Sequence, residues 1–406
     1  MNRTASKTAK TVTIGGACAF VGDSILGPRQ LVAVPGMQYL VFDYLAEMTL
    51  SSFAHTRQGD PAAGWASEFV ELTLREILPA CQQRGIRLVA NAGGLNPAGC
   101  VQAIGRLQRE LGTQLTVACV EGDDCLDLMP SLRAAGVVDF YTGEAMPAEL
   151  VSANAYLGAL PIARALAMGA DIVVTGRIVD SATTLGVLMH EYGWTPDDHD
   201  ALAMGSLAGH ILECGPQATG GIHTDWHTVP DWENIGYPVI ECHGAEHFVV
   251  SKPAGTGGLV TRGTVSGVIY GVLSGLAYAV CVYYLKITTQ LPQAGGDKIV
   301  QMLHLSLWAA GIMLGYALLR GESLAINDQQ TFWMLVIYGV LVQFVGWLMV
   351  NRSIGFISLG LAGLILLLEP VITYFIDVAF LGKASSALQI TGAMVTVVAV
   401  YVGSMK

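Results

Sequence analysis

Residues Gly255 to Lys286 read GTGGLVTRGTVSGVIYGVLSGLAYAVCVYYLK, and within them one kind of protein gives way to another without a linker. Up to about Thr264 the residues are those of a water-soluble α/β domain. From Val265 to the end of the 406-residue chain nearly every residue is apolar or small. Charge marks the same break. The chain holds 21 basic and 32 acidic residues, of which only 6 and 5 fall in residues 265–406. That leaves 15 and 27 in residues 1–264, a net charge of about −12, which argues against nucleic acid or an anionic membrane surface as a partner of this part. Two domains are therefore expected, residues 1–264 and residues 265–406.

The first part is long enough to bury its own core. Seven of the eight cysteines lie in it without a C-x-x-C pair, a pattern that suits a reducing compartment. At the N-terminus MNRTASKTAK is basic, and Ala17-Cys18-Ala19 imitates a signal-peptidase site. Gly15-Gly16 interrupts the apolar run and Asp23 follows soon after, so the expectation is a first β-strand that ends in a glycine turn.

Short β-rich runs recur, each followed by a helix-compatible stretch, which is the pattern of βαβ units. The expected strands are Thr11 to Ile14, Tyr39 to Phe42, Arg87 to Ala90, Leu115 to Val120, Val137 to Tyr141 and Asp171 to Thr175. Several are apolar throughout, as strands covered on both faces must be. Helical spacing is read over Ala66 to Cys81, Pro97 to Leu111, Ala155 to Met168 and Asp200 to Cys214, and YPVIECHGAEHFVV at 237–250 reads as a hairpin about His243-Gly244. The expected fold is an α/β domain with a mostly parallel sheet.

In such a sheet ligands lie beyond the carboxyl ends of the strands. The residues there are polar: Gly15-Gly16 and Gly22-Asp23-Ser24, Asp43 to Glu47, Asn91 with Gly93 and Gly94, Glu121 to Asp124, Thr142 to Glu144, and Thr175-Gly176-Arg177 with Asp180. Asp, Asn and Gly also make ordinary turns and caps, but six strand ends sharing the pattern point to a site. Asp23, Asp43, Arg177, Asp180, His210 and Glu213 are the candidate catalytic residues, because carboxylates beside an arginine or a histidine can move protons. Gly15, Gly16, Asn91, Gly93, Gly94, Glu121, Glu144, Gly257 and Gly258 are the candidate ligand-binding residues, glycine allowing close backbone approach. His210, Glu213 and Cys214 share a helix face, but the spacing matches neither H-E-x-x-H nor paired C-x-x-C, and no metal site or cofactor is assigned.

The runs IGGACAFVGDS, YLVFDYLAEMT, VTGRIVDSATTLG, GSLAGHILECGPQATGG and KPAGTGGLVTRGTV together resemble the acyclic terpene utilisation family AtuA, also called DUF1446, over residues 13–264. The resemblance implies a role in the breakdown of citronellol- and geraniol-type compounds, whose acids travel as coenzyme A esters. An acyl-CoA or another small metabolite is the implied ligand. Family members continue past the segment matching Gly255 to Thr264, so the domain reads as truncated there.

The tail contains five apolar stretches, near Val265 to Leu285, Val300 to Leu319, Phe332 to Val350, Ile354 to Ala379 and Leu388 to Gly403, each long enough for a hydrocarbon core of about 30 Å. Small residues such as Gly271, Gly275, Gly360 and Gly363 permit close helix packing in the lipid bilayer and self-association. The fourth stretch, LLLEPVITYFIDVAFLGK, carries Glu369, Pro370 and Asp377, and intramembrane carboxylates point to transport. This tail resembles one five-helix EamA repeat of the drug/metabolite transporter superfamily, with Lys383 where an acidic residue is usual. The whole reads as a multi-pass protein of the cell inner membrane, formed as a fused or rearranged reading frame. Two alternatives stand beside it: a transporter working as a dimer of the repeat, and a membrane-anchored enzyme of terpenoid acyl-CoA catabolism.

Overall fold

The computed structural model describes residues 10–139, 143–223 and 225–265, together with scattered helical residues between 303 and 397. Contacts divide the chain into two compact units, Met1–Tyr283 and Tyr284–Lys406. Among the described residues no helix is long and apolar enough to cross a membrane. Nearly all of the five apolar stretches, with Glu369, Pro370 and Asp377, lies outside the described residues.

The first unit is built on a seven-stranded mixed sheet in the order β4-β5-β3-β2-β1-β6-β7. The strands are β1 (Thr11–Cys18), β2 (Tyr39–Phe42), β3 (Arg87–Ala90), β4 (Val117–Val120), β5 (Ile172–Thr175), β6 (Val239–His243) and β7 (His247–Ser251). Strands β1 to β5 are parallel, and the β6–β7 hairpin extends the sheet antiparallel to β1. The helices are α1 (Leu26–Val32), α2 (Glu47–Gly59), a π-helical turn Phe69–Leu74 running into α3 (Arg75–Arg84), α4 (Pro97–Leu111), α5 (Met129–Ala134), α6 (Leu160–Ala167), α7 (Ala182–Tyr192) and α8 (His199–Glu213).

Successive strand residues point to opposite faces, so a strand that is apolar throughout needs two covers. Leu40, Phe42, Leu88, Ala90, Ile172 and Val174 pack against residues of α1, α3 and α4, among them Leu31, Leu78 and Ile104. Tyr39, Val41, Val89 and Val173 pack on the other face with Ile162, Leu188 and Leu212 of α6, α7 and α8. Helix α4 shows how local sequence serves this layering. Asn96 caps its start by accepting from the Gly99 N–H at 2.9 Å, Pro97 occupies the first turn, and Gly112 ends it in the left-handed region at φ 67°. Its Cys100, Ala103, Ile104 and Leu107 recur at helical spacing and are buried.

Three expectations are corrected. Strand β1 does not end at the paired glycines but runs through them to Cys18, because Gly15 and Gly16 pair with Leu40 and Val41 of β2. Residues Val137 to Asp139 form no strand, only an isolated bridge from Val138 to Ala145. The helix expected from Ala155 starts at Leu160, since Ala155 donates to the Asp123 carbonyl and Leu157 bridges to Ile178 before Pro161 opens the helix.

Candidate active site

The carboxyl ends of β2, β3 and β5 meet the N-terminal loop of α7 and the last turn of α8, and the polar residues gather there. Asp43, at the end of β2, is buried, and its Oδ1 accepts from the Asn91 amide at 2.5 Å and from the Leu45 N–H at 3.2 Å. Asn91 in turn accepts from the Tyr44 N–H at 2.7 Å, so the two loops after β2 and β3 are tied together. Asp180, before α7, accepts from Arg177 Nη1 at 2.6 Å. Glu213, in the last turn of α8, faces His210 Nδ1 at 2.5 Å across one helical turn.

Oxygens of Asp43, Asp180 and Glu213 all lie within 4.8 Å of one another. Burial raises the pKa of each, and like charge adds to it: from Asp180 and Glu213 at Asp43, from Asp180 at Glu213 and from Glu47 at Asp180. Asp43, the most enclosed, is pushed up to about 7, first by burial and then by the Asp180 charge. Arg177 and His210 pull the other way on Asp180 and Glu213. A second donor set, His210, Glu213 and Cys214, meets the same 4.8 Å limit, so a cation could be held by either group.

Arg177 is 1 % exposed and is held from several sides. Its backbone N–H donates to Asp123 at 2.7 Å, Nη1 also donates to the Leu45 carbonyl at 2.7 Å, and Nη2 reaches Glu47 at 3.3 Å. Its Cζ lies 4.1 Å from the centre of the Tyr156 ring, whose hydroxyl donates to Glu47. A buried guanidinium with a cation–π face and two carboxylates is fixed in place rather than mobile. Arg177 therefore orients Asp180.

The remaining candidates fall elsewhere. Asp23 accepts from Tyr237 Oη at 2.6 Å and from the Ala19 N–H at 2.9 Å, tying the loop after β1 to the residues before β6. Gly15 and Gly16 lie within β1, where Leu31 and Leu40 crowd the first and the Leu212 carbonyl of α8 crowds the second. Gly93 donates to the Thr175 carbonyl and Gly94 to that of Asn91. Glu121 is exposed after β4, and Glu144 is exposed with its carbonyl accepting from Asp139. Gly257 and Gly258 donate to the carbonyls of Asn234 and Pro230. The structure adds residues that sequence reasoning did not single out: Asp123 (3 % exposed), which accepts from Arg177 and Asn154, and Glu47 and Tyr156 beside the guanidinium. Asp123 and Glu47 stood at strand ends already inspected, but Tyr156 had no local signal.

The domain is thus a three-layer α/β fold that gathers carboxylates, a histidine and a locked arginine at the carboxyl edge of its sheet, where ligands of such sheets lie. The chain belongs to the acyclic terpene utilisation family AtuA, whose pattern it matches over residues 12–299. Residues 265–405 match the EamA-like transporter family, which implies membrane association, so the two matches overlap over residues 265–299. No curated protein and no solved structure matches the chain.

Proposed function

We propose that this chain is a multi-pass membrane protein in which an AtuA domain with a proton-transfer site is carried by a single EamA-type repeat of five spans. The observation that carries the site reading is the convergence of Asp43, Asp180 and Glu213 within 4.8 Å, with the pKa of each raised from its ordinary value. Groups in one site whose environments differ can divide acid and base roles at neutral pH. Asp43, the most buried and pushed up to about 7, still carries its proton in a large share of molecules near neutral pH and acts as the acid. Asp180, whose side chain is 40 % exposed and whose negative charge Arg177 stabilises, is the base. Glu213, backed by His210, completes the site. The substrate class is an acyl-CoA or a similar small metabolite with a carbonyl-activated C–H bond. The base removes that proton and the acid returns one, so the atoms balance without a further reactant.

The test is deuterium uptake by a branched acyclic acyl-CoA in D2O, followed by mass spectrometry with the full chain in detergent. Wild-type protein is expected to exchange the activated proton. Asp180→Asn should slow exchange by about 100-fold, the lower range for loss of a general base. Exchange that survives Asp180→Asn unchanged sinks the assignment. Exchange that disappears on chelation and returns with Mg2+ favours a cation held by the same three carboxylates.

The tail reading rests on its composition and on the EamA-like match. Its join to the AtuA domain is read as a fused or rearranged frame because the composition changes near Val265 without a linker. In the transporter alternative, Glu369, Pro370 and Asp377 would face a cavity between two repeats. Five spans cannot be stripped by alkali, so after carbonate extraction the full chain is expected in the membrane pellet. Recovery in the supernatant would overturn the anchorage.

A further inference from the structure

A second concavity lies apart from the carboxylate cluster, between α2, α4 and the 60–67 loop. Its volume is about 770 Å³, within the roughly 300 to 1,000 Å³ of small-molecule sites. Helix spacing brings one stripe of each helix to the cleft. Ser52, Phe53 and Thr56 form one stripe of α2, and Gln102 and Arg106 follow the capped first turn on one stripe of α4.

Two aromatic rings are anchored in the wall. Trp65 is half-buried against the main core, with its indole N–H donating to the Ala62 carbonyl at 3.0 Å, and Phe53 packs on the same core. Opposite charge is also present. Arg106 is exposed and, among the described residues, has neither an ion-pair nor a hydrogen-bond partner. The acid that shares the cleft, Asp60, is turned to its own loop and accepts from the Ala62 N–H at 2.9 Å. The side-chain amide of Gln102 is likewise uncommitted among the described residues. The cleft thus offers fixed aromatic surface beside a free guanidinium and an amide, and aromatic stacking with charge-assisted hydrogen bonds is the combination that holds a flat ring bearing an anion.

We propose that this cleft binds an organic anion of mononucleotide size, a flat ring against Trp65 and Phe53 with its phosphate or carboxylate on Arg106. The site is separate from the proton-transfer reading and does not depend on it. The two share scaffolding, however. Glu47, which contacts Arg177, opens the helix that carries Ser52 about 8 Å further along its axis, at 1.5 Å per residue. Occupancy of the cleft would therefore brace the helix that holds Glu47 against Arg177.

The test titrates the full chain in detergent micelles with AMP, adenosine and inorganic phosphate, read by calorimetry and saturation-transfer NMR. AMP is expected to bind at least tenfold more tightly than either fragment. Arg106→Gln and Trp65→Leu should each weaken AMP at least tenfold, and Gln102→Ala about threefold. Arg106 and Gln102 are both exposed, so unchanged melting of those two variants separates lost binding from lost fold. Absence of AMP binding at millimolar concentration overturns the proposal, as does phosphate binding as tightly as AMP or affinity unmoved by Arg106→Gln. AMP affinity that falls with Asp180→Asn as far as with Arg106→Gln would place the ligand at the carboxylates and also overturn it.

Discussion

Replacing Gly16 with valine is expected to lower the stability of the AtuA domain by about 3 kcal/mol or more, the upper part of the range for forcing atoms into a packed interior. A Cβ at this position would stand 2.3 Å from the carbonyl oxygen of Leu212 and 3.1 Å from its Cα. Both are backbone atoms of α8, so no side chain can rotate away and the helix itself must move. The same last turns carry His210 and Glu213, and displacing them draws one carboxylate out of the three-acid cluster. Thermal melting of the purified chain should show a lower midpoint, with binding at the cluster lost in the fraction that still folds. Gly105→Ala is the matching control. It lies in mid-α4 with only the far end of Arg109 within 4 Å, and alanine there should be neutral or stabilise by up to about 1 kcal/mol. A Gly16→Val midpoint equal to wild type would show that β1 and α8 do not need this contact.

Asp43 should make the folded state less stable as pH rises from about 4 to 7. Below that range both the folded and the unfolded chain hold the proton, and the contribution is constant. Within it the unfolded chain, with an ordinary carboxylate, has released the proton while burial and the Asp180 charge keep it on the folded protein. Folding then requires proton uptake, which becomes harder at each step of pH. Above about 7 both forms are ionised and the loss levels off. Between an ordinary pKa near 4 and the folded value of about 7 the difference is on the order of 4 kcal/mol. Asp180 and Glu213 are shifted in the same direction and add to it with the same sign. Asp43→Asn has no proton to hold and can still accept from Leu45 and Asn91 through its amide oxygen. The variant should match wild type near pH 4, exceed it by pH 8 and show a shallower slope between. Parallel curves of denaturation midpoint against pH for the two proteins would refute the assignment.

Several candidate residues also make contacts that hold the fold together, and the sequence alone does not show which. Glycine at a strand end serves a ligand or a neighbouring helix equally well, and nothing in Gly15-Gly16 distinguishes the two. The distinction is made by α8, whose Leu212 arrives from nearly 200 residues away. Asp23 likewise reads as a candidate acid from its place after β1, and the fold adds the Tyr237 hydroxyl that donates to it. Glu121 and Asp123 share one short loop, and the buried Asp123 is the one that accepts from Arg177 and Asn154. Side chains two apart are equivalent in composition and differ only in what the fold packs against them.

Local chemistry determined the layered α/β class, the places of β2, β3 and β5, helix α4 with its Asn96 cap and Gly112 stop, and the β6–β7 hairpin, because each depends on periodicity and punctuation within a dozen residues. Composition alone also set the abrupt change near Val265, whereas the AtuA match runs on to residue 299 and overlaps the EamA-like match that starts at 265. The assembly of the site was decided only by tertiary structure. Asp43, Asn91, Arg177 and Glu213 come from four segments spread over 170 residues, and the parallel register of β2, β3 and β5 aligns the ends of three of them. The depth at which each side chain then sits sets its charge. A carboxylate's pKa follows from the water and charge around it, and those are properties of the packed sheet and helices rather than of the residue.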